Sequence, residues 1–325
     1  GEGEVRLSKR CGGSDPSAVF LAAALGLKEV TLGKNVDLVC DRNSSGSVGD
    51  GQSPGAENGT VVAPNAEAPS RVSAKNKLSV AIAGLGLIGE GVAIRLGRSN
   101  PDYEFRAALV REPFKERNLL DIDQVTNDIA AFLATKPDII IDALPDGKAG
   151  LSLITEALMR GVSVVTANKQ AIAGSLSNLT RLANRTGAEF LYSASVGGGA
   201  PFVETVKRAR NLGEIESIEA VLNGTVNFIL SCLANGGGFE EAVKAAQVAG
   251  FAEPDPSADL SGGDARAKLA ILSFAAFGRE IDPNAVEVEA LDAEKAARFV
   301  MNGGRWKQIA RLQSDRDGEL LASVT

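Results

Sequence analysis

Histidine is absent from all 325 residues of the chain. Without an imidazole there is no Ser-His-Asp triad, no Cys-His dyad and no ordinary zinc site, so proton transfer falls to Lys, Asp, Glu, Tyr or Cys. Cysteine is nearly as scarce. Cys11, Cys40 and Cys232 are odd in number and far apart, which argues against a disulfide framework or a metal knuckle. Such usage suits a reducing compartment: the cytoplasm, or a plastid in a photosynthetic eukaryote. Aromatic residues make up 5% of the chain and interleave with no basic run, and 34 basic against 41 acidic residues give a net charge of −7, so a nucleic-acid partner has no support. No apolar run approaches membrane-spanning length. What remains abundant is aliphatic: at 44% hydrophobic content the chain can bury one large core or two ordinary ones.

The clearest break falls at residues 44–76, which are rich in Gly, Ser, Pro and Asn with almost no large apolar residues, the composition of a flexible linker. Beyond it the text becomes regular. An apolar strand over Leu78–Ala83 leads through a glycine turn to a helix; a second strand follows near Phe105–Val110, then PDIIIDAL, another helix and VSVVT. Strand and helix alternate, and the strands are apolar throughout rather than two-sided, which predicts a doubly wound parallel sheet covered by helices on both faces. From about Gly197 the rhythm changes to helices mixed with alternating strands (Ile218, Ala220, Leu222), and the end of the chain reads as two strands joined around Asp317-Gly318. The expected division is therefore a Rossmann-type domain over 77–196 and an α+β domain over 197–325.

Gly84, Gly86 and Gly89 form G-x-G-x-x-G directly after a buried strand and directly before a helix. The motif alone is weak, but its context is specific. The first glycine permits the turn, the second lets a pyrophosphate approach the backbone near Leu87 and Ile88, and the third lets helix pack on strand. The next strand ends at Val110-Arg111-Glu112. Arg111 suits the 2'-phosphate of NADP, whereas Glu112 would suit the ribose of NAD; the cation comes first, which favours NADP.

A second cluster lies between Gly250 and Lys268, in GFAEPDPSADLSGGDARAK. Glu253, Asp255 and Asp259 sit among prolines that disfavour regular structure, while Asp264 opens an Ala/Leu/Ile-rich helix and Lys268 follows one turn later on the same face. A lone i,i+4 pair is ordinarily a weak surface contact. The density of acids beside a single lysine points instead to a site that holds an ammonium group.

These stretches, VAIAGLGLIGEG, VVTANKQAIA, SVGGGAPFVET, LNGTVNFIL and AGFAEPDPSADLSGGDARAKLAIL, together resemble the homoserine dehydrogenase family, in order from about Lys77 to the C-terminus. The resemblance implies interconversion of L-homoserine and L-aspartate 4-semialdehyde with NADP or NAD, in threonine and methionine biosynthesis, by a homodimer. It also implies roles for particular residues. Lys268 matches the family's proton donor and acceptor, Lys169 the lysine between nicotinamide and substrate, Glu253 and Asp264 the substrate-binding acids, and Asp259 a supporting one. Leu144 falls among the cofactor-binding positions. Main-chain carbonyls of Val196, Gly198 and Ala200 match the family's monovalent-cation (Na+) site, although Ser193 stands where a glutamate is common.

Both ends depart from that pattern. The chain stops at ASVT within a strand-like stretch where the family continues, so the second domain reads as C-terminally incomplete. Residues 1–43, with Gly12, Gly13, Ser14 and Asp15 as G-G-S-D, resemble the late part of an aspartokinase, an enzyme known fused to homoserine dehydrogenase, and about 40 residues are too few to enclose a nucleotide. The alternative reading is a catalytically inactive nucleotide-binding or dimerising fragment of such a fusion. A phosphorylating semialdehyde dehydrogenase would need an activated cysteine, and Cys232 lies in the apolar pattern FILSCL.

Overall fold

β1 (Leu78–Ala83) is buried at every position after Leu78. An apolar strand with no solvent face belongs inside a sheet covered on both sides. α1 (Leu87–Ser99) returns the chain to β2 (Tyr103–Leu109) and β3 (Gln124–Thr126), and α2 (Ile129–Ala134) crosses to β4 (Ile139–Asp142). α3 (Gly147–Met159), β5 (Ser163–Thr166), α4 (Lys169–Ile172), α5 (Leu176–Thr186) and β6 (Phe190–Leu191) complete the unit. The computed structural model describes residues 77–325 except 100, 101, 116, 118–121, 316 and 317. The kinase-like segment 1–43 and the linker 44–76 lie outside the described residues.

Every ladder of this sheet is parallel, in the order β3-β2-β1-β4-β5-β6. The expected doubly wound sheet is present, and its direction of winding reverses between β1 and β4, where ligands of such sheets bind. Side chains alternate between two cores, as the two-residue period of a strand requires. Val80 and Ile82 pack with Val92, Ala93 and Leu96 of α1, while Ala81 and Ala83 share the opposite core with Leu153 and Ile154 of α3 and Leu179 of α5. Asp128, Asp146 and Asn168 cap α2, α3 and α4 with side-chain oxygens, as N-cap residues do.

A single helical turn (Ser193–Ser195) leads to α6 (Phe202–Leu212), β7 (Ser217–Ala220), α7 (Gly224–Ala234) and α8 (Phe239–Val248). Then come α9 (Ser257–Leu260), α10 (Gly263–Phe277), β8 (Glu287–Val288), α11 (Ala293–Asn302), β9 (Ala310–Ser314) and β10 (Leu320–Val324). The second sheet runs β7-β9-β10-β8, antiparallel except where β10 meets β8. This is the mixed sheet the alternation predicts. Leu222 lies beyond the end of β7, and it is buried nonetheless.

α10 is buried on most of its circumference, including Ala265, Leu269, Ile271, Leu272 and Ala275. A helix apolar all round must lie between other elements, and α10 packs against α6, α4, β9 and β10. One continuous apolar cluster therefore runs from Ala81 and Ile140 of the first sheet through Leu269 and Leu272 to Leu312 and Val324 of the second.

The three turn glycines face different constraints. A Cβ on Gly89 would lie 1.8 Å from the Gly84 carbonyl oxygen, whereas one on Gly86 would meet nothing within 4 Å. Gly89→Ala is expected to cost about 3 kcal/mol, at the upper end of ordinary overpacking, because helix or strand must move. Gly86→Ala should stay within about 0.5 kcal/mol of wild type. Thermal unfolding of both variants checks this, and equal losses would mean that the turn is strained at Gly86 as well.

Candidate active site

The glycine turn is held from behind. Gly84 adopts a φ of +90°, a region open to glycine, and its N–H donates to the Leu109 carbonyl at 2.8 Å. A Cβ there would come within 2.5 Å of the Ala143 carbonyl oxygen, so the turn presses on the loop after β4 and brings Leu144 beside it. Gly86 faces open space, Leu87 is 67% exposed, and the opening N–H groups of α1 point where an anion is welcome. Among the described residues nothing crowds position 86, so the backbone there is open to the close approach of a phosphate. The residues present therefore fit a dinucleotide. Arg111 and Glu112 stand exposed just beyond β2, and neither side chain forms an ion pair among the described residues. The loop there is bent by Arg117, whose Nη1 donates to the Glu112 carbonyl at 2.8 Å and the Lys115 carbonyl at 3.0 Å.

On the other side of the site, Asp264 in the first turn of α10 holds two lysines at once. Its Oδ2 lies 2.7 Å from Lys268 Nζ, and its Oδ1 lies 3.1 Å from Lys169 Nζ. The side chains of Asp264 and Lys268 are 10% and 18% exposed, which removes the reading of an ordinary surface pair. Lys268 Nζ also donates to the Leu222 carbonyl at 2.8 Å. Burial raises the Asp264 pKa, but the ammonium groups of Lys268 and then Lys169 outweigh it, and the net shift is downward. Lys169 comes from the turn after β5 and Lys268 from α10, so this one carboxylate joins the two sheets' elements.

Asn223 was not among the residues singled out from the sequence, and it is the hub of the cluster. Its Nδ2 donates to Asp264 Oδ2 at 2.9 Å and to Asp259 Oδ1 at 2.7 Å, while its Oδ1 caps α7 through Val226 N–H at 2.8 Å. The available signal was an Asn-Gly pair just before an apolar helical run, which marks an N-cap. Asp259 corrects one expectation: it lies in α9, a short helix, rather than in irregular loop. Pro256 precedes that helix, a place where a proline's missing N–H costs nothing. Asp255 is exposed and caps the Ser257 N–H at 3.0 Å. Glu253 is exposed as well; its carboxylate ion-pairs with nothing among the described residues, so the structure does not bring it into the Asp264 cluster.

The Val196, Gly198 and Ala200 loop turns through left-handed Gly197 and Gly198. The Ala200 carbonyl already accepts the Phe202 N–H at 2.8 Å. Ser193, at the position expected to hold a glutamate, hydrogen-bonds the Glu204 carboxylate of α6, so an acid reaches this place from another element. Burial and then Glu204 push the adjacent Tyr192 phenol up to about 12, and Lys207 Nζ lies 4.4 Å from the Tyr192 ring centroid. Among the described residues no group of three His, Cys, Asp or Glu is placed to hold a metal ion. Cys232 packs within α7 against the cluster formed by α7, α8 and α11.

A glycine turn at the switch point of a parallel sheet, in one fold with a lysine-carboxylate cluster that ties the first unit to a helix of the second, is the architecture of the two-part dinucleotide-binding dehydrogenases. The family profile described as "Homoserine dehydrogenase, NAD binding domain" matches residues 84–193, and "Homoserine dehydrogenase" matches residues 201–325. The chain belongs to the homoserine dehydrogenase family. It is 36% identical over 229 residues to the homoserine dehydrogenase of Synechocystis, covering 67% of this chain and 53% of that protein. To the NAD(+)-dependent homoserine dehydrogenase of Pseudomonas canavaninivorans it is 38% identical over 185 residues, 55% of this chain and 52% of the relative. A crystal structure of a putative homoserine dehydrogenase from Archaeoglobus fulgidus superposes with a TM-score of 0.61 at 30% identity, covering 76% of this chain and 82% of that one. The chain spans about half the length of the curated relatives it matches. Among the described residues no helix is long and apolar enough to cross a membrane.

Asp264→Asn tests the electrostatic frame. Removing the shared charge leaves two ammonium groups facing each other, an expected loss of about 3 kcal/mol at neutral pH. Because the Asp264 pKa lies below its ordinary 3.8, its stabilisation is complete above that value and is lost as pH falls below it. Urea unfolding at pH 7 and pH 3 should show the difference between wild type and variant shrinking at the lower pH; an unchanged gap would mean that Asp264 acts through packing alone.

Proposed function

We propose that the chain oxidises L-homoserine to L-aspartate 4-semialdehyde, or runs the reverse reduction, with NADP preferred over NAD. The observation that carries this reading is the Asp264 carboxylate holding Lys169 and Lys268 together within a structure that also carries the glycine turn. Residues 77–196 hold the dinucleotide, with the pyrophosphate on Gly84, Gly86, Leu87, Ile88 and Gly89, Leu144 bordering it and Arg111 pairing with the 2'-phosphate. Residues 197–325 hold the substrate and the contacts of a homodimer. The nicotinamide, when bound, supplies the hydride acceptor.

Homoserine presents an ammonium and a primary hydroxyl. Glu253, free of ion pairs among the described residues, and Asp264 bind the substrate, with Asp259 in support through Asn223. Lys268 takes the hydroxyl proton in its neutral amine form as hydride leaves the carbon that bears the hydroxyl, becoming the ammonium that Asp264 holds, and that ammonium returns the proton in the reduction. Asp264 and the Leu222 carbonyl aim the Lys268 Nζ, and Lys169 stands beside the oxygen that becomes the aldehyde. The carbonyls of Val196, Gly198 and Ala200 offer a monovalent cation a place, with the Glu204 charge nearby in support. The few cysteines favour a cytoplasmic or plastid setting.

Lys268→Ala is expected to abolish the homoserine-dependent rise in NADPH absorbance while leaving NADPH binding within about threefold of wild type, since Lys268 lies on α10 and the dinucleotide on the glycine turn. Retained turnover would remove Lys268 from the chemistry. A wild-type chain that binds NADPH but shows no turnover would favour a nucleotide-binding fragment.

Cofactor choice has its own test. Arg111→Ala should weaken NADPH by about 1.5 to 3 kcal/mol, the range for a hydrogen bond to a charged group, and barely change NADH. Titration of both reduced cofactors into Arg111→Ala and Glu112→Ala decides the matter. Equal losses of both cofactors in Arg111→Ala would make the arginine structural, and a wild-type preference for NADH that Glu112→Ala erases would assign the ribose to Glu112.

A further inference from the structure

Asp142 is a carboxylate at the C-terminal end of β4 with no solvent exposure, level with Ala83 of β1 and Thr166 of β5. Its two oxygens are divided between two loops. Oδ1 accepts the Leu144 N–H at 3.1 Å, on the loop that presses on Gly84, and Oδ2 accepts the Thr166 hydroxyl at 2.8 Å. From Thr166 the network continues. Thr166 Oγ1 accepts the Asn168 N–H at 2.9 Å, Asn168 Oδ1 accepts the Ala171 N–H at 3.1 Å as the cap of α4, and Asn168 Nδ2 donates to the Asp146 carbonyl at 3.0 Å. Space around this asparagine is tight, for a Cβ on Gly150 of α3 would lie 2.3 Å from Asn168 Nδ2. Lys169, the next residue, begins α4 and reaches Asp264.

A buried charge costs free energy unless its hydrogen bonds repay it. An Asn or a Thr at position 142 would spare that cost, so the charge points to a task beyond filling the space. We propose that Asp142 is a positioning residue that fixes Lys169 and the Leu144 loop together, acting on Lys169 through Thr166 and Asn168, and that it does so only as a carboxylate. Protonation turns one acceptor oxygen into a donor. Either the Leu144 N–H or the Thr166 hydroxyl then loses its partner, and Thr166, already accepting from Asn168, must turn its own proton into buried space. The groups facing Asp142 are Ala83 of β1, Thr166 of β5, the Leu144 N–H and Asn168 at the start of α4, and none of them titrates. Asp146 and Lys169 stand one link further along the network. Burial pushes the Asp142 carboxyl up to about 6 against the opposing bonds from Leu144, Thr166 and Asn168, so the switch falls just below neutral pH.

The effect on turnover rests on the reaction proposed above, and the test separates the two. In nitrogen-15 spectra of the full chain the Asn168 and Lys169 amide signals are expected to titrate together with a midpoint near pH 6, and Asp142→Asn should hold them still. Thr166→Val, which cuts the link to Asn168 and leaves the Leu144 bond intact, should also silence them, and it serves where Asp142→Asn fails to fold. In both variants kcat with homoserine should fall roughly 10- to 100-fold, as for a misplaced catalytic group, and the acid limb near pH 6 should vanish from the rate profile. KM for NADPH should change little in Thr166→Val. Amide signals indifferent to pH across this range, or an Asp142→Asn enzyme with wild-type kcat and acid limb, would overturn the proposal. Titrating amides in a chain that never oxidises homoserine would uphold the positioning network and strike down the reaction instead.

Discussion

The rest of the site depends on a buried anion shared by two cations. Asp264 sits where water scarcely reaches, and taking a carboxylate out of water costs several kcal/mol unless charges and donors replace the lost hydration. Lys268, Lys169 and Asn223 do so from three separate segments of the chain. The electrostatic debt is thus met only when α10, the turn after β5 and the start of α7 are all in register. The same requirement that keeps the ion folded sets the geometry of the lysines.

The dinucleotide side is organised by contact rather than by charge. Gly84 leaves no room for a side chain against Ala143, and Gly89 leaves none against Gly84, so the first two parallel strands around the switch point and α1 are locked at van der Waals distance. Of the three turn glycines, Gly86 alone is uncrowded. That asymmetry separates the two glycines that packing requires from one that leaves the turn open. Asp142 then links this packed turn to the lysine loop through two hydrogen bonds, one to each side.

Much of the fold was legible in the text because its signals are local. β1 spans Leu78–Ala83 as its mostly apolar run bounded by Gly84 predicts, and the apolar runs of β4 and β5 mark those strands in the same way. The pairing of Asp264 with Lys268 followed from helical spacing. What spacing could not supply was burial, which turned an ordinary i,i+4 pair into a shared ion, and the meeting with Lys169, 95 positions upstream. Asn223 escaped notice because its cap role is local while its bonds to Asp259 and Asp264 join residues 36 and 41 apart. Within PDIIIDAL nothing sets Asp142 apart; only the fold shows that it is buried and bonded to Thr166.

The continuous cluster that passes from the first sheet through α10 to the second bears on how the molecule can move. Where two domains share only a thin linker, they can swing as rigid bodies about a hinge. Here a wide swing would draw Leu269, Ile271 and Leu272 out of their surroundings and wet them, at about 25 cal/mol for every Å² of apolar surface exposed. Opening by that route is strongly opposed. The same cluster therefore favours motions at the periphery, such as the exposed stretch around Glu253 to Ser257, over any that would pull Lys169 and Lys268 away from Asp264.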